Sequence, residues 1–249
     1  MMINDGRNPQ VIYIPECGST NALVKSISNS SDIASGTVFW ADNQTEGRGM
    51  SGNSWESEKG KNLTFSVFFR PMNVSADMPF VILEMVSLCV KYTLDKYITG
   101  VAVKWPNDIY CGDKKIAGIL IENAIVDGKI TQSIIGIGIN INQVKFLSDA
   151  PNPVSLAQIT GLSFDNNDIL LEFREIFAEQ SKRLNDNNFD DIHYDYLNTI
   201  YRKDGYHKYS DGGGIFDATI RDIEPDGYLV LERTDGSISR YAFKEVAFL

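Results

Sequence analysis

The chain has 249 residues, is 43% hydrophobic and 22% charged, and carries 23 basic against 33 acidic side chains, a net charge of −10. This is globular composition, long enough for one large domain or for one large and one small. The excess of acid argues against a general affinity for nucleic acid backbone, and three scattered cysteines (Cys17, Cys89, Cys111) without CxxC spacing, beside only His193 and His207, argue against a disulfide framework or a zinc site.

In chain order, Met1 to Gln10 is polar and has no apolar signal core. Val11 to Ile14 reads as a short strand. Gly18-Ser19-Thr20-Asn21 opens a helix to about Ser28, with Ser19 or Thr20 as the candidate N-cap. Thr37 to Ala41 is a second strand, and Asp42 to Lys61 a long polar, glycine-bearing loop of the kind that is often functional. Asn62 to Arg70 is a strand. Pro79 to Tyr97 is a helix with proline near its first turn, and Glu84, Lys91, Asp95 and Lys96 make it a core helix rather than a membrane span. A soluble, cytoplasmic protein is expected.

Residues 101–105 and 115–126 read as two strands around the polar corner Lys104 to Asp108 and the Gly112-Asp113 turn. Asp127-Gly128 favours a type I′ hairpin leading into Lys129 to Asn142, which could form either a free edge or an interior strand. Val154-Ser155-Leu156 begins a helical stretch. Asp168 to Asn185 is amphipathic, with Asp168 close to its N-cap, and a further helix covers roughly 190–201. Near residue 204 the character changes to short β runs with turns at Gly212-Gly213-Gly214, Asp226-Gly227 and Asp235-Gly236, a small all-β module of four or five strands.

Several segments admit both a structural and a ligand-binding reading. Gln44 through Trp55 contains Gly47, Gly49 and Gly52 around Arg48. Exposed amides and a guanidinium suit an anion, and Trp55 can stack on a purine or cover an apolar ligand, yet a plain surface loop has the same look. The segment is neither a Walker A loop nor a Rossmann fingerprint. Ser19-Thr20-Asn21 either caps a helix or addresses a polar ligand head. Asn140 and Asn142 either end a strand or bond a nucleotide. Of Lys114 and Lys115, one belongs to solvent, and Lys115 can reach a carboxylate or a phosphate beside Gly118, where a ligand can approach the backbone.

Taken together and in this order, Ser19-Thr20-Asn21, Gln44 to Trp55, Lys104-Trp-Pro-Asn-Asp108, Lys115-Ile-Ala-Gly-Ile-Leu-Ile-Glu122 and Gly136-Ile-Gly-Ile-Asn140 closely resemble the biotin–protein ligases. The resemblance implies an α+β fold: a mixed β-sheet flanked by helices, like the class II aminoacyl-tRNA synthetase core, over residues 1–203, then a small SH3-like β-barrel over 204–249. It implies two steps: biotin and MgATP give biotinyl-5′-adenylate, whose acyl group passes to a lysine on a biotin carboxyl carrier domain. Ser19, Thr20, Asn21 and Gln44 would line the biotin pocket. Gly47, Arg48, Gly49 and Met50 would close over biotin and the adenylate. Trp55, Lys104, Trp105, Asn107, Asp108, Asn140 and Asn142 would surround the nucleotide. Arg48 and Lys115 would be the catalytic cations, with Lys115 and Gly118 at the biotin carboxylate. No dedicated protein site for a metal is implied, and a homodimer is compatible.

Two departures from the family pattern stand out. Many members of the family carry arginines where this chain has Met50, Ser51 and Asn53, and only Arg48 remains, so retention of the intermediate is expected to depend on loop ordering and Trp55 more than on charge. The Ser19 motif also begins almost at once, so no DNA-binding repressor activity and no DNA or membrane partner is expected. The rival readings are a lipoate–protein ligase, a non-catalytic biotin sensor and a scaffold built on the C-terminal module.

Overall fold

The computed structural model describes residues 8–28, 32–148 and 151–249, so most of the polar N-terminal segment lies outside the described residues. Alternation along the strands decides the architecture. Strand β1 (Val11–Ile14), helix α1 (Thr20–Ser28), and strands β2 (Thr37–Ala41) and β3 (Leu63–Phe69) are followed by helix α2 (Phe80–Leu94). Strands β4 (Val101–Lys104), β5 (Asp108–Cys111), β6 (Lys114–Val126) and β7 (Lys129–Ile139) complete a seven-stranded sheet in the order β1-β2-β3-β7-β6-β5-β4. The β1–β2 pair is parallel and the other pairs antiparallel, so the sheet is mixed.

One sheet face is apolar throughout. Leu63, Phe65, Val67 and Phe69 of β3 and Ile135, Ile137 and Ile139 of β7 join a single core with α2. That helix is buried on nearly every side, as a helix rich in Val, Leu and Ile must be when it lies between a sheet and further helices. The covering helices are α4 (Asn166–Asn185) and α5 (Phe189–Leu197), with a short α3 (Leu156–Thr160) before them. On the other face, Phe39, Phe68 and Ile134 pack against Val24 of α1 in a smaller cluster, and Ser66, Gly118, Gly136 and Gly138 lie beside it. Among the described residues no helix is long and apolar enough to cross a membrane.

The structure corrects several expectations. The corner at Lys104 is not a loop between two strands. It turns β4 directly into β5, a strand too short and too polar at Asp108 to stand out in the sequence. β7 is interior, held between β3 and β6, so its backbone offers no free edge to a second copy. Pro79 is the N-cap residue of α2, and α4 starts earlier than expected, capped by Asp165, whose side chain accepts from the Asn167 amide. α5 ends at Leu197.

Strands β8 (His207–Asp211), β9 (Gly214–Ile223), β10 (Leu229–Arg233), β11 (Ile238–Tyr241) and β12 (Ala247–Phe248) form a second sheet in the order β11-β10-β9-β8-β12. The recorded pairings leave β11 and β12 as its two edges rather than closing a barrel. Tyr209, Ala218, Leu229 and Leu231 of this sheet belong to the same core as the first. The join is polar as well. Trp105 Nε1 donates to Gly227 O (2.9 Å), and the Phe80 amide donates to Pro225 O (3.2 Å).

A histidine clasp spans the same join. His193 of α5 places Nδ1 2.7 Å from Glu84 Oε1 of α2 and Nε2 2.9 Å from Asp222 Oδ1 of β9. The bond to Glu84, opposed by burial and helped by Asp222, raises the His193 pKa to about 9. The folded chain therefore keeps a proton that the unfolded chain releases near pH 6.5. The stabilisation is complete below that value and is lost as pH rises through 9. Glu84, pushed up by burial, acts in the same direction. The urea midpoint of the wild type is expected to fall between about pH 6.5 and about pH 9, and that of His193→Gln to fall much less. A wild-type midpoint that stays level across this interval contradicts the clasp.

Candidate functional site

The second face of the large sheet carries a cavity of about 480 Å³, a size suited to a small organic ligand. Its floor follows from the period of two. In the β7 run Ile134 to Ile139, the isoleucines at 135, 137 and 139 point into the core, which leaves Gly136 and Gly138 on the cavity side. Gly118 of β6 lies directly opposite Gly138, and Ser66 of β3 is paired with Gly136. The floor is thus a strip of bare backbone.

Other groups lie where side chains would have stood. A Cβ on Gly136 would sit 2.6 Å from Asn21 Oδ1, and one on Gly138 would overlap the Trp55 indole. These two glycines are required by close approach, not by backbone conformation.

At one end of the strip the start of α1 supplies a polar cluster. The Ser66 hydroxyl is 2.6 Å from Asn21 Oδ1 and 2.7 Å from Thr20 Oγ1. Thr20 donates through its amide (2.8 Å) and hydroxyl (3.1 Å) to Gln44 Oε1. Asn21 Nδ2 donates to Leu120 O (3.2 Å) and lies 3.3 Å from Glu122 Oε2. Gln44 is held there because the Cys17 and Thr45 amides pair with the Asn43 and Cys17 carbonyls. Thr20 is therefore not the helix cap; its hydroxyl is turned into this network.

The glycine-rich segment folds as a narrow hairpin over the middle of the strip. The Trp55 amide donates to Gly47 O (2.9 Å) and the Gly49 amide to Asn53 O (2.7 Å), with a 3-10 turn at Met50–Gly52. Gly47 belongs to the hairpin frame, where a Cβ would strike the Trp55 carbonyl at 2.5 Å, and it does not line the cavity. The Trp55 indole lies on Gly118 and Gly138, with the Lys115 ammonium 5.7 Å from its ring, and its buried Nε1 has no partner. Glu56 anchors the end of the hairpin. Its carboxylate accepts from the amides of Leu147 (2.8 Å) and Ser148 (2.7 Å) and from Gln143 Nε2 (3.0 Å). Burial alone would raise its pKa, but these bonds hold it below the ordinary value.

The far end is the Lys104–Asp108 corner. Lys115 Nζ pairs with Asp108 Oδ1 at 2.6 Å, and the Lys115 backbone is pinned by Asn152 O and the Val154 amide. Lys104 Nζ is 3.0 Å from the Tyr110 hydroxyl and lies over the rings of Tyr110 and Phe248. Burial lowers its pKa, with Arg202 and Lys115 adding to the effect against Asp108. Lys114 is exposed. Asn107 Nδ2 donates to Ile119 O (2.7 Å) and so fixes the corner against β6.

Ser19, Thr20, Asn21, Gln44, Arg48, Gly49, Met50, Trp55, Lys104, Trp105, Asn107, Asp108, Lys115 and Gly118 all line this one cavity. Asn140 and Asn142 do not. Asn140 Nδ2 donates to Val154 O, and Asn142 bonds both the carbonyl and the amide of Phe164, so each side chain secures a loop behind the sheet. Three contributions carry no separate signal in the sequence. Ser66 lay inside an ordinary strand, and Gly136 and Gly138 were visible as glycines but not as one face. The 243–248 tail, including Phe243, Lys244 and Phe248, reaches the cavity from the second sheet.

The biotin/lipoate A/B protein ligase family matches residues 13–140, just over half of the chain. The bifunctional ligase/repressor BirA of Bacillus spizizenii is 31% identical over 170 residues, which are 64% of this chain and 50% of that protein. Its Bacillus subtilis counterpart is 27% identical over 236 residues, 91% of this chain and 70% of that protein. The chain spans about half the length of several of the relatives it matches. The fold is shared with biotin protein ligase from Aquifex aeolicus, solved in complex with biotin and ATP, at a TM-score of 0.77 and 24% identity, over 96% of this chain and 98% of that one.

Proposed function

The chain belongs to the biotin/lipoate A/B protein ligase family, and on that premise we propose that it joins biotin to a lysine of a biotin carboxyl carrier domain through biotinyl-5′-adenylate. One observation carries the choice of biotin: the closed end of the cavity is polar. Thr20, Asn21 and Gln44 present hydroxyl and amide groups that suit the N–H donors and carbonyl of a ureido ring, with Ser66 behind them fixing Thr20 and Asn21. The dithiolane ring of a lipoyl group has no hydrogen-bonding group to offer, so the hydrogen-bonding capacity this cluster has left over would go unused against it.

In this reading the valeryl chain runs from the polar cluster along the cavity beside Trp55, and its carboxylate arrives beside Lys115. A carboxylate oxygen attacks the α-phosphorus of ATP, a P–O bond forms, and the bond to pyrophosphate breaks. Lys115 offsets the charge gathering on the phosphoryl oxygens, and Arg48, exposed on the hairpin, closes over the anions. The carrier amine then attacks the acyl carbon and AMP leaves. Magnesium enters with the triphosphate as part of the substrate. Asp108 is the one carboxylate on the described cavity wall and is ion-paired with Lys115. We take residues 1–203 as the catalytic unit, with 204–249 completing the wall. Repressor activity is not part of the proposal.

Pyrophosphate release in the presence of ATP tests the reading. It is expected with biotin and not with lipoate. Release with lipoate alone would make the chain a lipoate ligase, and tight biotin binding without release would make it a sensor.

A further inference from the structure

Among the described residues, four cations line the cavity, Arg48, Lys104, Lys115 and Lys244, against the single carboxylate of Asp108, in a chain of net charge −10. Their circumstances differ. Lys115 is paired with Asp108, and Lys104 is enclosed by Tyr110 and Phe248. Lys244 is exposed at the rim, and no acidic side chain among the described residues is paired with it.

Its backbone makes that placement notable. Lys244 sits at the third position of a turn closed by the Glu245 amide donating to Ala242 O (3.1 Å), with φ +73. That is the left-handed region, where glycine or asparagine is favoured and a long side chain is strained. The adjacent carboxylate, Glu245, is turned back to accept from the Ala242 amide at 2.7 Å. A strained residue whose ammonium is paired with no acid among the described residues and lies over the neighbouring Phe243 ring at 5.8 Å, yet which faces a cavity, points to a ligand.

The turn also fixes which part of the ligand it meets. Phe243 packs on Trp105 with ring centroids 6.3 Å apart, and Phe248 lies over Lys104, so the turn stands above the Lys104–Asp108 corner and away from the Asn21 end. We propose that Lys244 binds the β- and γ-phosphates of the nucleoside triphosphate, so that the second sheet supplies a cation to the leaving pyrophosphate. This rests on the ligase reading given above. It gives the C-terminal sheet a direct part in nucleotide binding, and it supplies charge that the hairpin lacks at Met50, Ser51 and Asn53.

The test compares wild type, Lys244→Gly and Lys244→Arg. Glycine removes the charge and the strain together, so its melting temperature is expected to hold or rise. Its KM for ATP in pyrophosphate release is expected to rise roughly five- to tenfold, as for one rim charge, with biotin affinity unchanged. Arginine restores the KM. Raised salt is expected to weaken ATP binding more in wild type than in Lys244→Gly. Unchanged ATP affinity in Lys244→Gly overturns the proposal, as does equal loss of biotin and ATP binding, which would mark a structural role. A raised KM for the carrier domain alone also overturns it, in favour of macromolecular docking. Should the wild type release no pyrophosphate, the ligase reading fails by itself, and direct calorimetry of ATP on wild type and Lys244→Gly still decides the role of Lys244.

Discussion

Lys115→Ala is expected to slow biotin-dependent pyrophosphate release by about 10² to 10³-fold while changing biotin affinity only a few-fold. The asymmetry follows from where the lysine sits. Its side chain rises beside Gly118 at the middle of the floor, between the polar cluster that would hold the ureido ring and the corner that would hold the nucleotide. A cation there touches the two anions where they react and contributes little to the ring at the closed end. Its attraction grows as charge collects on the phosphoryl oxygens, so its loss appears in the rate. The fold should tolerate the change, because Lys115 and Asp108 are each about a quarter exposed and such a pair contributes little to stability. Asp108 is left without its partner, so Lys115→Ala/Asp108→Asn serves as the control. If the double variant recovered the wild-type rate, the lysine would be acting only to neutralise Asp108. Equal losses in rate and in biotin affinity would likewise remove its role in the transition state.

Gly138→Ala is the second large effect, and it acts through one methyl group. The added Cβ overlaps the Trp55 indole, which lies on the bare backbone of Gly118 and Gly138. β7 is held on both sides by β3 and β6 and cannot retreat, so the hairpin carrying Trp55 must lift. A lifted hairpin also withdraws Arg48. The variant should fold, with an overpacking cost of about 1–3 kcal/mol. Overall turnover should fall by roughly tenfold to a hundredfold, since small misplacements of binding groups are amplified in rate. Tryptophan fluorescence should shift toward exposure, and the 45–56 hairpin should become more open to protease. Trp55→Ala combined with Gly138→Ala should restore the stability but not the turnover. A Gly138→Ala variant with wild-type rate and wild-type fluorescence would show that the indole does not use this platform.

The sequence made the chemistry-bearing residues more legible than the surfaces they share. Lys104 to Asp108 and Lys115 stand out because a dense polar cluster beside an apolar run is unusual, and the structure gathers them on one wall. Asn140 and Asn142 looked equivalent to them but bond Val154 and Phe164. An asparagine after a strand can cap a loop or meet a ligand, and only the position of a loop far along the chain decides. The isoleucine–glycine alternation of β7 was in plain view, yet its meaning depends on which face the core takes. Ser66 lay hidden between Phe65 and Val67 for the same reason. β5 was lost to brevity. The contribution of 243–248 comes from the way the second sheet docks, through Trp105, Pro225, Gly227 and the His193 clasp, and no local pattern announces it.

A site for biotin transfer modifies a carrier, which a merely biotin-shaped space does not. The most direct measurement is the intact mass of a biotin carboxyl carrier domain after incubation with this chain, ATP, magnesium and biotin. The predicted result is the gain of a single biotinyl group on one lysine, lost when biotin or ATP is omitted, when that lysine is replaced by arginine, or when Lys115→Ala is used over the same interval. A carrier domain of unchanged mass, under conditions in which another ligase modifies it fully, would contradict the account.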